Sequence, residues 1–296
     1  MTVTVSSRMT KSNQTSTVLG RKLGAELLRL RVAAGFKQQE ATDVLSATPT
    51  KLVKIERGWV PVRDPDIKAL YEFYGCTDRD ALQALLRLAR LDRERRKAKG
   101  WWQQYPRAGG MAEYISMEDV ATRVRTWELS LVPGLLQTAE YSRALAVGEG
   151  SWDNPDEIEP LVEVRQMRQQ RLHGAQPLNL YAIVWEGALR QQIGGRTAMR
   201  EQLSHLIDMA QLPNINMQVL PYRAGSHACI GGAFSIISFA ESEAMDVVHS
   251  DTIGSTVWVE SEEDSALYRL AFASTARASL AQHDSIALIG SIRKEM

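Results

Sequence analysis

Apolar positions along the first third of the chain recur at helical spacing. Leu19, Leu23, Leu27, Leu30 and Ala34 line one face of a first helix. Residues 38–45 predict a short second helix with Ala41, Val44 and Leu45 apolar, and Ser46 and Ala47 make a turn. A third helix runs to Arg57 and buries Leu52 and Ile55. Thr48 suits its N-cap, because the hydroxyl can accept from an unpaired N–H of the first turn. Pro49 fits the first helical position, where no N–H is needed, and Gly58 fits a left-handed C-terminal cap. A helix over 66–74 ends at Gly75. Thr77 or Asp78 caps another, with Leu82, Leu85, Leu86 and Leu88 on its buried side. That helix ends in the charged run RLDRERRKAKG, which reads either as a linker helix with a solvated face or as a further phosphate-contacting surface.

The pattern changes after Trp101. Trp101, Trp102 and Tyr105 read as a core anchor, with a ligand-stacking role as the alternative. A helical region is expected over 117–148, broken at LVPGLLQT by Pro133 and Gly134. A helix over 155–172 carries Arg165, Arg168 and Arg171 at helical spacing. Glu157, Glu159 and Glu163 share it, so it reads as a charged surface or dimer rim. Residues 178–185 alternate and are rich in strand formers. A helix over 196–211, strands at 216–220, 234–239, 247–248 and 256–259, and helices over 262–279 and 284–294 complete the chain. The expected fold is mainly α: an N-terminal all-α helix-turn-helix domain, then an α+β domain with a largely antiparallel sheet. The expected boundaries are a disordered tail over 1–17, which carries Arg8 and Lys11, the helix-turn-helix domain over 18–90, a basic linker helix over 91–100, and the second domain over 101–296.

Composition narrows the class. The 296 residues suffice for two domains, and the net charge is zero. That zero hides a division: residues 1–99 carry 20 Lys and Arg against 11 Asp and Glu, and the remainder carries 15 against 24. A basic first third with an acidic remainder confines the expected nucleic-acid contact to the N-terminal domain. No apolar run is long enough to span a membrane, no apolar signal region follows Met1, and the two cysteines, Cys76 and Cys229, have no partner motif. These features point to a cytoplasmic protein without a membrane partner.

The outward positions of the third helix carry the candidate chemistry. A helix entering the major groove needs donors and small apolar groups near its N-terminus and cations on its flank. Thr48, Thr50, Lys51, Val53 and Lys54 supply them. Gln38 is placed either to bind a phosphate or to brace the third helix, and Arg63 to reach the backbone or minor groove. The expected partner is double-stranded DNA. Through Gly35, Gln38, Leu45, Thr48, Ile55, Glu56 and Gly58, residues 19–75 resemble the Xre family of phage-repressor-type DNA-binding domains. The resemblance implies a structural ion pair between Arg31 and Glu56. Two positions depart from the family pattern: Thr42 stands where Ala is preferred at a close helix crossing, and Ser46 replaces the usual turn Gly.

In the second domain, WWQQY, LVPGLLQT, WEGALRQQIGG and LPNINMQVLPY carry a second resemblance. It is to the uncharacterised C-terminal regulatory domain that accompanies Xre-type modules in actinobacterial regulators. What this implies is a transcriptional regulator, with the second domain in regulation and dimerisation. Some members resemble antitoxins acting with a small partner protein, so the partners expected are a homodimer mate and either a small protein or a small-molecule effector. No catalytic residue, no cofactor and no metal site emerges: the five histidines lack ligand spacing, and Gly231 and Gly232 precede a strand, the wrong order for a phosphate cradle. The candidate effector or partner contacts are Trp185, Glu186, Tyr222 and His227, the last two at the glycine-rich loop GSHACIGGAF.

Overall fold

A computed structural model describes residues 17–97, 100–105, 111–150, 155–240, 246–252, 255–259 and 261–296. The chain divides into two compact units, one up to Lys99 and one from Gly100. Apart from Thr17, the N-terminal tail lies outside the described residues.

Among the described residues the first unit has five helices: α1 (Val18–Ala33), α2 (Gln38–Val44), α3 (Pro49–Glu56), α4 (Asp64–Phe73) and α5 (Arg79–Lys97). Leu23, Leu27, Ile55, Ile67, Tyr71 and Leu85 form one core cluster, and Ala41, Leu52, Leu70 and Tyr74 a second. Thr17 caps α1 by accepting from the Gly20 N–H at 3.0 Å. Residues 91–97 are the last turns of α5, and side chains on them are tied into the unit instead of forming a solvated linker face. Asp92 is fully buried and accepts from the Thr17 hydroxyl and from Arg96 Nε. Arg96 also donates to the Gly58 carbonyl at 2.7 Å, and Arg93 to the Val62 carbonyl at 2.6 Å.

The second unit runs α6 (Ala112–Val120), β1 (Arg123–Glu128), α7 (Ala139–Glu149), α8 (Ile158–Gln169), β2 (Asn179–Trp185), α9 (Glu186–Arg190), α10 (Gly195–Met209), β3 (Ile215–Leu220), β4 (Phe234–Ser238), β5 (Val247–Asp251), β6 (Thr256–Val259), α11 (Glu262–Ala278) and α12 (Gln282–Glu295). The six strands among the described residues form one sheet in the order β3-β2-β1-β4-β5-β6. Three of the pairings are antiparallel, and β1–β2 and β2–β3 are parallel. The fold is therefore α+β with a mixed, largely antiparallel sheet.

The central strand β1 lies inside the region 117–148 expected to be helical. RVRTWE has the period of a strand: Val124 and Thr126 alternate with Arg125 and Trp127, and three of its six residues are β-branched or aromatic. One face of the sheet is apolar. Trp127, Ile183, Phe234, Ile236 and Val248 pack there against Phe272 of α11. Edge strand β3 is covered on its open side, where Val219 N–H donates to Ser285 Oγ and the Val219 carbonyl accepts from Leu280 N–H. Trp102 is buried with Ile115 and Val164, which is the core-anchor role.

Candidate nucleic-acid interface and a cavity in the second unit

α3 is fixed from behind and open in front. Thr48 adopts extended backbone and its hydroxyl accepts from Lys51 N–H at 3.3 Å, with Pro49 in the first turn. Leu52, Ile55 and Glu56 are buried, while Thr48, Pro49 and Thr50 are exposed and Lys51, Val53 and Lys54 half-buried. At the C-terminus, Gly58 takes φ +66°, and a Cβ there would lie 2.2 Å from backbone atoms of Gly20 and Arg21. Gly24 makes the same crossing tight from the α1 side: its Cβ would meet the carbonyl oxygens of Ile55 and Glu56 at 2.4 and 2.5 Å.

Arg31 and Glu56 form a buried bidentate pair at 2.6 and 3.1 Å. Arg31 also donates to the Phe36 carbonyl, so one guanidinium ties α1, the α1–α2 link and α3 together. The hydrogen bond to Glu56 holds Arg31 above its ordinary pKa. Gln38 reaches the same carboxylate, with Nε2 at 3.4 Å from Glu56 Oε2, which is the bracing geometry. The two departures from the family pattern are accommodated locally. Ser46 takes φ +46°, the left-handed conformation a turn Gly would supply. Buried Thr42 satisfies its hydroxyl on the Gln39 carbonyl at 2.7 Å.

Two of the seven candidate DNA contacts share one acid. Arg63 pairs with Asp66 at 2.8 Å and Lys51 with the same carboxylate at 3.7 Å. Asp66 thus holds both cations on one side of α3. Among the described residues no carboxylate lies at ion-pair distance from Lys54, in the last turn of α3. The exposed first turn and this flank form a donor-bearing, cationic ridge.

In the second unit the candidate contacts divide. Trp185 and Tyr222 meet edge to face with ring centres 5.3 Å apart, and Glu186 accepts from Tyr222 N–H at 2.9 Å and from Arg190 Nε at 2.9 Å. Glu186 is thus the first residue of α9, and both its oxygens are engaged. Glu186 and Tyr222 border an open groove with Arg223, Asp284 and Leu288. His227 instead packs on Trp127, ring centres 5.0 Å apart, and burial holds its imidazole below the usual pKa.

A cavity of about 300 Å³, which the sequence reading missed, lies against the other face of the sheet. Cross-strand register builds its floor: Thr126 lies opposite Ser235, Ser235 opposite His249, and His249 opposite Trp258. Hydroxyls and an imidazole therefore occupy a row where the opposite face has Trp127, Phe234 and Ile236. The cavity opens at the carboxyl end of β1, between a parallel and an antiparallel neighbour, the kind of switch point where α/β sheets bind ligands. The motif LVPGLLQT forms one wall. Its loop is pinned by Tyr141, whose hydroxyl accepts from Val132 N–H at 3.1 Å, and by Gln137, which donates to the Val132 carbonyl at 2.8 Å.

The arginines of α8 face inward instead of forming a charged surface. Arg168 is 5% exposed and pairs bidentately with Glu118 at 2.7 and 2.8 Å; burial opposes its charge and Glu118 overcomes that opposition. Arg165 also lines the cavity. Among the described residues its one hydrogen bond is to the Ser142 carbonyl at 3.3 Å, and burial pushes its pKa down. Glu128, at the end of β1, accepts from the Thr126 hydroxyl at 3.2 Å, and burial pushes its carboxyl up to about 7.

Among the described residues no group of three or more His, Cys, Asp and Glu is arranged to hold a metal, and no helix is long and apolar enough to cross a membrane. No curated protein and no solved structure matches the chain. Two family models do. Residues 22–85 match a helix-turn-helix domain, the class of fold that the first unit shows. Residues 111–291, more than half of the chain, match the domain of unknown function DUF5753, and the chain belongs to that family.

Proposed function

We propose that this chain is a sequence-specific transcriptional regulator of the Xre, actinobacterial type, dimeric and cytoplasmic, whose second unit receives a regulatory signal and catalyses no reaction. α3 enters the major groove. Thr50, Val53 and Lys54 meet base edges, Thr48 and Lys51 lie close to the phosphate backbone, and Gln38 and Arg63 flank them. The observation that carries this reading is the asymmetry of α3: Leu52, Ile55 and the Arg31–Glu56 pair lock one side, and the other presents donors and cations.

Lys54→Ala is expected to weaken operator binding by about 1–3 kcal/mol and to relax base preference at the position it reads. Replacing Lys51 is expected to weaken binding evenly across sequences and to lower the salt slope by about 1. Fluorescence anisotropy with operator and scrambled duplexes over a salt series measures both. Unchanged affinity in both variants overturns the reading.

A second reading makes the chain antitoxin-like, with the second unit binding a small partner protein and DNA contact serving autoregulation. It draws on one observation: Leu267 and Leu270, one turn apart on α11, are 62% and 68% exposed. A stoichiometric small protein in gentle pull-downs from the native host would favour it.

A further inference from the structure

The cavity of the second unit carries two opposite charges that do not pair with each other. Arg165 and Glu128 both line it, yet among the described residues Arg165 has no carboxylate at ion-pair distance, and Glu128 has only the Thr126 hydroxyl as a hydrogen-bond donor. Glu149 acts on Arg165 and Arg168 on Glu128 through space, without an ion pair to either, and the other charges of the site are paired. Arg168 is taken up by Glu118, and Asp251 by His249 at 3.3 Å and the Thr256 hydroxyl at 2.7 Å. Between Arg165 and Glu128 the walls are apolar and aromatic: Val132, Leu135, Leu180 and the tilted rings of Tyr114 and His249, centres 4.6 Å apart. The volume stands at the small end of ligand pockets, which suits a metabolite and not a segment of folded protein.

We infer that this cavity binds a small zwitterion of the amino-acid class, its carboxylate on Arg165, its ammonium on Glu128 and its side chain against the apolar wall. A ligand with one charge would relieve one of the two groups and leave the other desolvated and without a direct ion-pair partner. A zwitterion relieves both, and the pinned LVPGLLQT loop holds the wall in place beforehand, so little ordering is required on binding. Proton linkage follows. The groups around Glu128 are Tyr114 and Glu118 of α6, Tyr141 of α7, Arg165 and Arg168 of α8, and His249 and Asp251 of β5. An ammonium beside Glu128 favours its ionised form, so binding expels the proton that burial retains, and affinity rises with pH through about 7.

The assignment rests on the reading of the second unit as the signal-receiving half, but its test contains no DNA. Isothermal titration of the full chain with each proteinogenic L-amino acid, at millimolar concentration, is expected to give saturable binding of at least one. The corresponding amine without the carboxylate, and the acid without the ammonium, are expected to bind at least about tenfold more weakly. Glu128→Gln and Arg165→Gln should each lower affinity by roughly thirtyfold or more, with Arg165→Lys intermediate. The rise in affinity from about pH 6 to about pH 8 should vanish in Glu128→Gln. Circular dichroism and melting curves establish that each variant is folded. Absence of saturable binding by every amino acid overturns the inference, as does equal binding of the deaminated acid with Glu128→Gln unaffected. Neither result touches the DNA reading, which the Lys54 and Lys51 variants test separately.

Discussion

Glu128 shows what the cavity asks of a single residue. Its carboxyl is surrounded by α6, α8 and β5, and burial raises its pKa from 4.5 to about 7. The folded state therefore holds this proton more tightly than the unfolded chain does. Its contribution to stability is fully present below about pH 4.5, declines as pH rises, and is lost above about 7. Because the cavity admits water, the loss is expected to be about 1–2 kcal/mol, less than the full shift implies. Glu128→Gln keeps the shape and removes the ionisation. Urea melts at about pH 5 and pH 8 should show the variant equal to the natural chain in acid and more stable in base. The sequence flagged neither Glu128 nor Arg165. Arg165, Arg168 and Arg171 recur at helical spacing beside three glutamates, and that pattern describes a solvated face as well as an inward one. Only the position of Glu118, 50 residues away in sequence, makes Arg168 a buried ion.

Among elements, the α1–α3 crossing has the least room. Gly24 lies where a Cβ would press on two backbone carbonyls of α3, and Gly58 takes φ +66° against α1. Gly24→Ala forces the helices apart, and denaturant melts should show a loss of about 1–3 kcal/mol, the range for overpacking. A variant that remains folded should also lose operator affinity, because α3 is tilted while Thr50 and Lys54 are intact. The helices themselves were legible. Leu23, Leu27, Leu52, Ile55 and Leu85 sit at the expected spacing and are buried. Thr48, Pro49 and Gly58 mark the ends of α3 through the chemistry of caps. β1 was not read as a strand: RVRTWE has strand period, but it lies between helical segments and its arginines and glutamate suit a helix as well as a strand. Missing it hid the cavity, since Thr126 and Glu128 belong to a face defined by cross-strand register with β4. The Arg31–Glu56 pair rested on family resemblance; nothing in local spacing links two residues 25 apart.

At the scale of the molecule, the division of charge assigns the two units different work. With a balance of +9 over residues 1–99 and −9 over the remainder, the proposed attraction to DNA falls to the first unit. A single α3 reads only a few base pairs, and a monomer of this size gains specificity by doubling its contacts. The surface we propose for that purpose is Leu267 and Leu270 of the second unit, which stand clear of the core beneath α11, where Phe272 is buried against the sheet. A symmetric contact through this face would be self-complementary, each α11 meeting its mate. Light scattering of the full chain is expected to report a dimer, and Leu267→Glu with Leu270→Glu a folded monomer. The monomer should bind a half-site as the natural chain does and lose the gain on a full operator. If the double variant remains dimeric, the contact lies elsewhere on the chain. If the natural chain is monomeric and gains no affinity on a two-site operator, then α11 is open to a different protein, and the antitoxin-like reading becomes the stronger of the two.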